Sequence, residues 1–329
     1  MRSSSNETRG GERLGRRGLL KRVSAGGLSL AGIAALGSAQ AASNADSDPL
    51  TIVHGTQFHG RFGSPKGPNV ARYATVVDEL REEFPNSALV ATGDDVAKAP
   101  IATVLRGLHV VDAMNYLDPL AAVVGNHEFD YGDFILRRRM GASTFPWVSA
   151  NLLAGPERAI PGARRGLIES VGDVTVGVFG LSLLEPAEYV YYPPGYRMVR
   201  ATRTAKAAVA RMERAGVDYV VCASHLRLGG SKEIARSVDG IDLMVGDHEE
   251  HVLSAPVEIG GTVVNSVGAE FGQVGRVTID GNGLRDSARV AVSPDVAPDP
   301  GMRRIVRKWR RRYGVQNPTD GDTIVSLAP

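Results

Sequence analysis

From residue 50 onward the chain alternates two apolar patterns. Short, nearly continuous apolar runs predict buried strands at Leu50–Val53, Ala88–Ala91, Leu120–Val124, Trp147–Ala150, Val174–Leu181, Val217–Cys222 and Ile241–Val245. Between several of them, apolar residues recur at helical spacing. Val70, Tyr73, Ala74, Val77 and Leu80 predict a helix over residues 69–84, which Pro85 stops. Ile101–Met114 and Thr202–Ala215, the latter closed by Gly216, predict two more. The last third, with Thr262–Val267, Val274–Ile279 and Ala288–Val292 separated by Gly-containing turns, reads as strands. Strands alternating with helices predict an α/β layered fold. No internal repeat or low-complexity run interrupts this part of the chain.

Residues 1–41 follow another pattern. Arg16-Arg17-Gly18-Leu19-Leu20-Lys21 precedes an apolar, Gly/Ala-rich stretch, Val23–Leu36, and then Ala39-Gln40-Ala41. A basic start, a short apolar middle and a small-residue end are the parts of an export signal. The paired arginines resemble a twin-arginine signal, the route for proteins exported already folded. An uncleaved anchor or a tail are the alternatives, but the stretch is short and glycine-rich for a membrane span. The expected organisation is a signal at 1–41, a polar linker at 42–49, one domain at 50–295 and a basic helix with a tail at 296–329. The expected location is periplasmic or extracellular, without stable membrane insertion.

Composition narrows the function. The chain has 329 residues, of which 43% are apolar and 22% charged, an ordinary globular balance. Its net charge of +2 is concentrated in the signal; beyond Ala41 there are 31 basic and 34 acidic residues. That near-neutral body argues against a dedicated binder of nucleic acid duplexes. The lone Cys222 excludes an intrachain disulfide framework and a thiolate zinc cluster.

The polar oddities fall just after the predicted strands, the edge where open α/β sheets bind ligands. The segments are His54-Gly55-Thr56-Gln57-Phe58-His59-Gly60, Thr92-Gly93-Asp94-Asp95, Gly125-Asn126-His127-Glu128-Phe129-Asp130-Tyr131-Gly132, Ser224-His225, and Gly246-Asp247-His248-Glu249-Glu250-His251. Six of the seven histidines lie there; only His109 does not. Imidazole nitrogens with carboxylate and amide oxygens are the donors that divalent transition metals take.

These loops, in this order, resemble the calcineurin-like metallophosphoesterases, and more closely the catalytic domain of bacterial 5′-nucleotidases. The Gly125–Gly132 segment is the most specific, and Trp147-Val148-Ser149-Ala150-Asn151 adds to it. The resemblance covers about residues 50–295. It implies a four-layer α/β/β/α sandwich, two divalent ions (Mn, Zn, Fe, Co or Mg) and a small phosphate-ester substrate. By resemblance Asp94 bridges the ions, Asn126, His225 and His248 complete one site, and His59 belongs to the other. His127 resembles the histidine beside the substrate phosphate, with Asp130 as its hydrogen-bonded partner. Two such cations clamp a phosphoryl group and acidify a shared water that attacks phosphorus in line. A protonated His127 would donate to the departing oxygen.

Two positions depart from the pattern, both at the His59 ion. The family's Asp-x-His becomes Gln57-Phe58-His59, and the last motif's second histidine becomes Glu250, with His251 one residue further. Three readings stand: Glu250 restores the charge lost at Gln57, whose amide oxygen still serves as a ligand; His251 is the ligand after a local bulge; or this site is weak or empty. Asp95 and Asp247 are possible alternate ligands, and more simply groups that orient the ligands.

Other features have simpler readings. His54 supports the site or is structural, and Cys222 is a small buried hydrophobe. Arg137-Arg138-Arg139 is a solvated helix face or steers phosphate. The helix at Met302–Tyr313 carries Arg303, Arg304, Arg307, Lys308, Arg310, Arg311 and Arg312 beside an apolar stripe. It either docks by that stripe or faces an anionic membrane or nucleic acid. The chain ends where two-domain 5′-nucleotidases begin a base-gripping domain, so weak discrimination among phosphate esters is expected. The functional expectation is an exported phosphomonoesterase; the alternatives are a phosphodiesterase or a non-catalytic relative that binds metal or a partner. Oligomeric state has no signature in the sequence.

Overall fold

The computed structural model describes residues 47–183 and 193–314. The predicted signal, most of the linker and the tail beyond residue 314 lie outside the described residues. In chain order come β1 (Leu50–His54), α1 (Val70–Glu83), β2 (Ser87–Ala91), α2 (Pro100–Leu105), α3 (Leu108–Leu117), β3 (Ala121–Val123) and α4 (Gly132–Ala142). Next are β4 (Trp147–Val148), β5 (Leu152–Ala154), β6 (Ala163–Arg164), β7 (Gly166–Val171), β8 (Val174–Ser182), β9 (Tyr196–Met198) and α5 (Ala201–Arg214). Then follow β10 (Tyr219–His225), α6 (Leu228–Ser237), β11 (Leu243–Val245), β12 (Val257–Ile259) and β13 (Thr262–Asn265). The last elements are β14 (Gln273–Asp280), β15 (Gly283–Ala291) and α7 (Pro300–Tyr313).

Two sheets carry the architecture. Seven strands pair in the order β15-β14-β1-β2-β3-β4-β6 and six in the order β12-β13-β11-β10-β8-β7. Their centres are parallel: β1 to β4 in one, and β8, β10, β11 and β13 in the other. Parallel strands covered on both faces need apolar side chains both ways, hence their unbroken apolar runs. Ile52, Val90 and Val123 meet Val178, Val221 and Val245 in a core between the sheets. Val53, Leu89 and Ala91 pack with Tyr73, Ile101, Val110, Leu136, Met302 and Trp309 of the helices outside the first sheet. Val220, Cys222 and Met244 pack with Val209, Met212 and Ile234 of α5 and α6. Three cores separated by two sheets make the expected four layers.

Local signals set the helix ends. The Asn69 side chain accepts from Ala71 N–H (3.0 Å) and Arg72 N–H (3.1 Å) and caps α1, a contribution of about 1 kcal/mol. The single helix expected over Ile101–Met114 is two. Arg106 and Gly107 take left-handed φ values of 45° and 76° and break it. A Cβ on Gly107 would come within 2.7 Å of the Val96 side chain, so glycine alone fits the corner.

Two charged stretches resolve differently. Arg137-Arg138-Arg139 is not a wholly solvated face: Arg139 is buried and its Nε donates to the Arg106 carbonyl at 2.5 Å, closing the break after α2. Helix α7 docks by its stripe. Met302 and Trp309 are buried, and Trp309 Nε1 (2.7 Å) and Lys308 Nζ (2.9 Å) both donate to Asp112 Oδ2 on α3. The stripe is therefore unavailable for insertion into a bilayer. No helix among the described residues is long and apolar enough to cross a membrane.

Candidate metal and phosphoester site

The chemistry-bearing loops leave the carboxyl ends of β1, β2 and β3 in one sheet and of β10 and β11 in the other. Backbone bonds fasten the first two together: His59 N–H to Asp94 C=O (3.0 Å), Gly60 N–H to Asp95 C=O (2.7 Å) and Ala99 N–H to His59 C=O (2.9 Å). Gly93 is required because a Cβ there would lie 2.8 Å from His225 Nδ1. Gly125 is required because a Cβ would fall on Asp94 Oδ1 and within 2.6 Å of its backbone N.

Four ligating atoms converge on one point. Asp94 Oδ2, Asn126 Oδ1 and His248 Nδ1 lie 3.1, 3.2 and 3.3 Å from His225 Nε2. His225 Nδ1 is 2.8 Å from the Thr92 carbonyl, which only accepts, so Nδ1 carries the hydrogen and Nε2 is turned to its neighbours. Lone pairs facing one another at this range call for a cation. Without one, a proton takes that role: burial opposes it, but Asp94 raises the His225 pKa. Burial alone would raise Asp94; His225 and His127 instead hold its carboxyl well below the usual range. Two imidazoles, one carboxylate and one amide oxygen, mostly buried, fit a divalent transition metal.

His127 sits at the same centre. Its backbone N–H donates to Asp94 Oδ1 at 2.9 Å, and its ring Nδ1 lies 2.9 Å from Asp130 Oδ2. That bond fixes the tautomer and leaves Nε2 for proton exchange. Burial disfavours the imidazolium, but Asp130 and Asp94 outweigh it and raise the pKa.

The other half of the expected site is differently furnished. Gln57 is buried and its Nε2 donates to the Asp247 backbone carbonyl at 2.6 Å. His59 Nε2 is 3.3 Å from Glu250 Oε1, and its Nδ1 is 3.8 Å from Glu270 Oε1. The Lys98 ammonium enters here too, 3.4 Å from His59 Nε2 and 3.5 Å from Glu250 Oε1. Of the two candidates at the last motif, Glu250 reaches His59. His251 instead pairs with Asp247 Oδ1 at 3.2 Å. Asp247, Glu249 and His251 are bound up in their own loop, where Asp247 accepts from Glu249 N–H (2.6 Å) and Glu249 pairs with Arg227 (2.9 Å).

Asp95 turns away from the centre: it accepts from Phe58 N–H (3.0 Å) and the Thr56 hydroxyl (3.1 Å), tying the β1 loop to the β2 loop. His54 is fully buried with Nε2 3.1 Å from Asn265 Nδ2; burial lowers its pKa to about 3 and keeps it neutral. Glu128, Lys98 and Glu270 also belong to the site's surroundings, without a ligand's signature in the sequence. Buried Glu128 accepts from Gly125 N–H (2.7 Å), Asp94 N–H (2.9 Å) and Asp95 N–H (2.8 Å), holding two ligand loops together. Asp94 itself adopts φ of 54°, a conformation such a clamp can maintain. The one signal for Glu128 was an acid in an otherwise assigned motif; nothing in the pattern marked Lys98 or Glu270.

Comparison with known proteins agrees with this geometry. The family model of the calcineurin-like phosphoesterases matches residues 53–246. The chain is 27% identical to bovine 5′-nucleotidase, over 84% of this chain and 55% of that protein. It is 31% identical to protein 5NUC of Lutzomyia longipalpis, over 67% of this chain and 42% of that one. It thus spans about half the length of these curated relatives. Among solved structures, the 5′-nucleotidase precursor of Thermus thermophilus superposes with a TM-score of 0.73 at 23% identity, covering 82% of this chain and 59% of that one. The calcineurin-like phosphoesterase YfkN of Bacillus subtilis gives 0.70 at 16% identity, covering 80% and 97%. The loop chemistry, the four layers and the matching family model lead to one conclusion: the chain belongs to the calcineurin-like phosphoesterases, with a domain like the catalytic domain of 5′-nucleotidases.

Proposed function

We propose that this chain is an exported, metal-dependent phosphomonoesterase acting on small phosphate esters, nucleoside monophosphates among them. The observation that carries this reading is the convergence of Asp94, Asn126, His225 and His248 on one point, with His127 bonded to the same Asp94. Those four residues would hold a divalent ion. When bound, it supplies positive charge for the phosphoryl oxygens and lowers the pKa of a water. The family resemblance implies a second ion near His59, but Gln57 and Lys98 make that half a poor match.

The remaining steps belong to the chain itself. Asp130 holds the His127 ring through Nδ1 and favours its protonated form. As a water oxygen bonds to phosphorus and the ester P–O bond breaks, His127 Nε2 gives its proton to the ester oxygen, which leaves as the alcohol. Asp95 and Glu128 keep the loops that carry these groups in register. Export rests on the twin-arginine-like start, in residues outside the described part.

The test is release of phosphate by the purified, Mn²⁺-loaded protein from nucleoside monophosphates and from p-nitrophenyl phosphate, with bis-p-nitrophenyl phosphate as the diester control. His127→Ala is expected to lower kcat by about 10²–10³-fold while leaving bound metal unchanged. Cleavage of the diester alone would replace this reading with phosphodiesterase, and no phosphate release from any ester would leave a binding protein. Activity indifferent to His127→Ala would remove the assigned site.

A further inference from the structure

The His59 half of the site already holds a cation that belongs to the chain. Lys98 Nζ stands 3.4 Å from His59 Nε2 and 3.5 Å from Glu250 Oε1. His59 Nδ1 faces Glu270, whose carboxylate also pairs with Arg61 at 3.0 Å. The two His59 ring nitrogens thus face Glu270 on one side and the Lys98–Glu250 pair on the other, where the ammonium stands beside Nε2. The backbone brings the root of the lysine side chain to this place. Ala99 N–H is bonded to His59 C=O at 2.9 Å, and Lys98 itself is held at φ of 86°, where lysine is rarely found. The anionic balance agrees. The residue at 57 is an uncharged amide whose NH₂ is committed to Asp247 C=O at 2.6 Å. One carboxylate, Glu250, then faces one ammonium, a balance that a divalent ion in the same space would upset.

We propose that the enzyme works with a single metal ion, held by Asp94, Asn126, His225 and His248, and that the Lys98 ammonium occupies the place of the second. The inference rests on the phosphoesterase reading. In it Lys98 supplies fixed positive charge opposite the metal, on the side from which phosphoryl oxygens are otherwise clamped. It also accounts for Gln57 and Glu250 together. An ammonium needs one carboxylate and neutral acceptors, whereas a second divalent ion is better served by the additional aspartate that is missing.

The experiment counts ions rather than turnover. The purified full chain is stripped, reloaded with Mn²⁺ and examined by native mass spectrometry and electron paramagnetic resonance. The expected result is one ion per chain with the six-line spectrum of an isolated Mn²⁺, retained in His59→Ala and lost in His225→Ala. Two ions per chain with a spin-coupled spectrum would overturn the inference and leave the phosphoesterase reading standing. No bound ion would overturn both. One ion lost in His59→Ala but retained in His225→Ala would place it on the wrong side and overturn the inference. In a second arm, Lys98→Met is expected to weaken binding of inorganic phosphate about tenfold, the loss of a charge-assisted hydrogen bond, at unchanged metal count. Unchanged phosphate affinity would refute the role given to the ammonium.

Discussion

Glu128 shows how much one side chain can hold. Its carboxylate takes N–H groups from Gly125, Asp94 and Asp95, all buried, so no water can replace it. Glu128→Ala would strand those donors and is expected to cost more than about 3 kcal/mol, read as a lower midpoint in urea unfolding together with weaker Mn²⁺ binding. Glu128→Gln, with one acceptor oxygen, should fall between the two. Motif residues with ligand chemistry were legible because their donor types are scarce and their spacing is fixed by strand ends. Glu128 was not, because its partners are backbone groups, which leave no trace in a sequence. Lys98 was hidden for a related reason: its place is set by a positive φ and by contacts with His59 and Glu250, 39 and 152 positions away.

At the level of elements, strands were the most readable, since burial on both faces leaves unbroken apolar runs. Helix α1 also announced itself through period, cap and Pro85. The break between α2 and α3 did not, because the apolar period runs through it; only the tight approach of Gly107 to Val96 forces the turn. Helix α3 carries a pH response. His109 is fully buried, with Nε2 2.7 Å from the Gly60 carbonyl, and burial lowers its pKa to about 4 from an ordinary 6.5. A histidine depressed in the folded state is neutral in both states above pH 6.5, so stability there is undiminished. As pH falls below 6.5 the unfolded chain takes up a proton that the folded one refuses until about pH 4, and roughly 3 kcal/mol is lost across that window. His109→Gln keeps a donor for Gly60 and should flatten this part of the stability–pH curve, measured by urea unfolding between those limits.

Over the whole molecule, α7 follows β15, the edge strand of the first sheet, and closes the helical layer over α1 and α3. The seven cations of this segment left an external partner open beside docking, and docking is what the structure has: the apolar stripe belongs to the protein's own core. Trp309→Ala removes a buried ring and a hydrogen bond to Asp112; it is expected to cost about 3–5 kcal/mol, seen as a lowered thermal midpoint with metal stoichiometry intact. A salt-sensitive loss of binding to some other molecule, without that lowered midpoint, would revive the external reading.

The lone thiol has a practical consequence. Cys222 lies fully buried in the middle of β10, and burial pushes its pKa well up. Aromatic disulfide reagents therefore have no access while the second sheet stays closed. Their uptake should match the rate of global opening, so a colorimetric thiol assay gives a native, label-free clock for this fold. A rapid stoichiometric reaction in the absence of denaturant would mean that β10 opens far more easily than its packing implies.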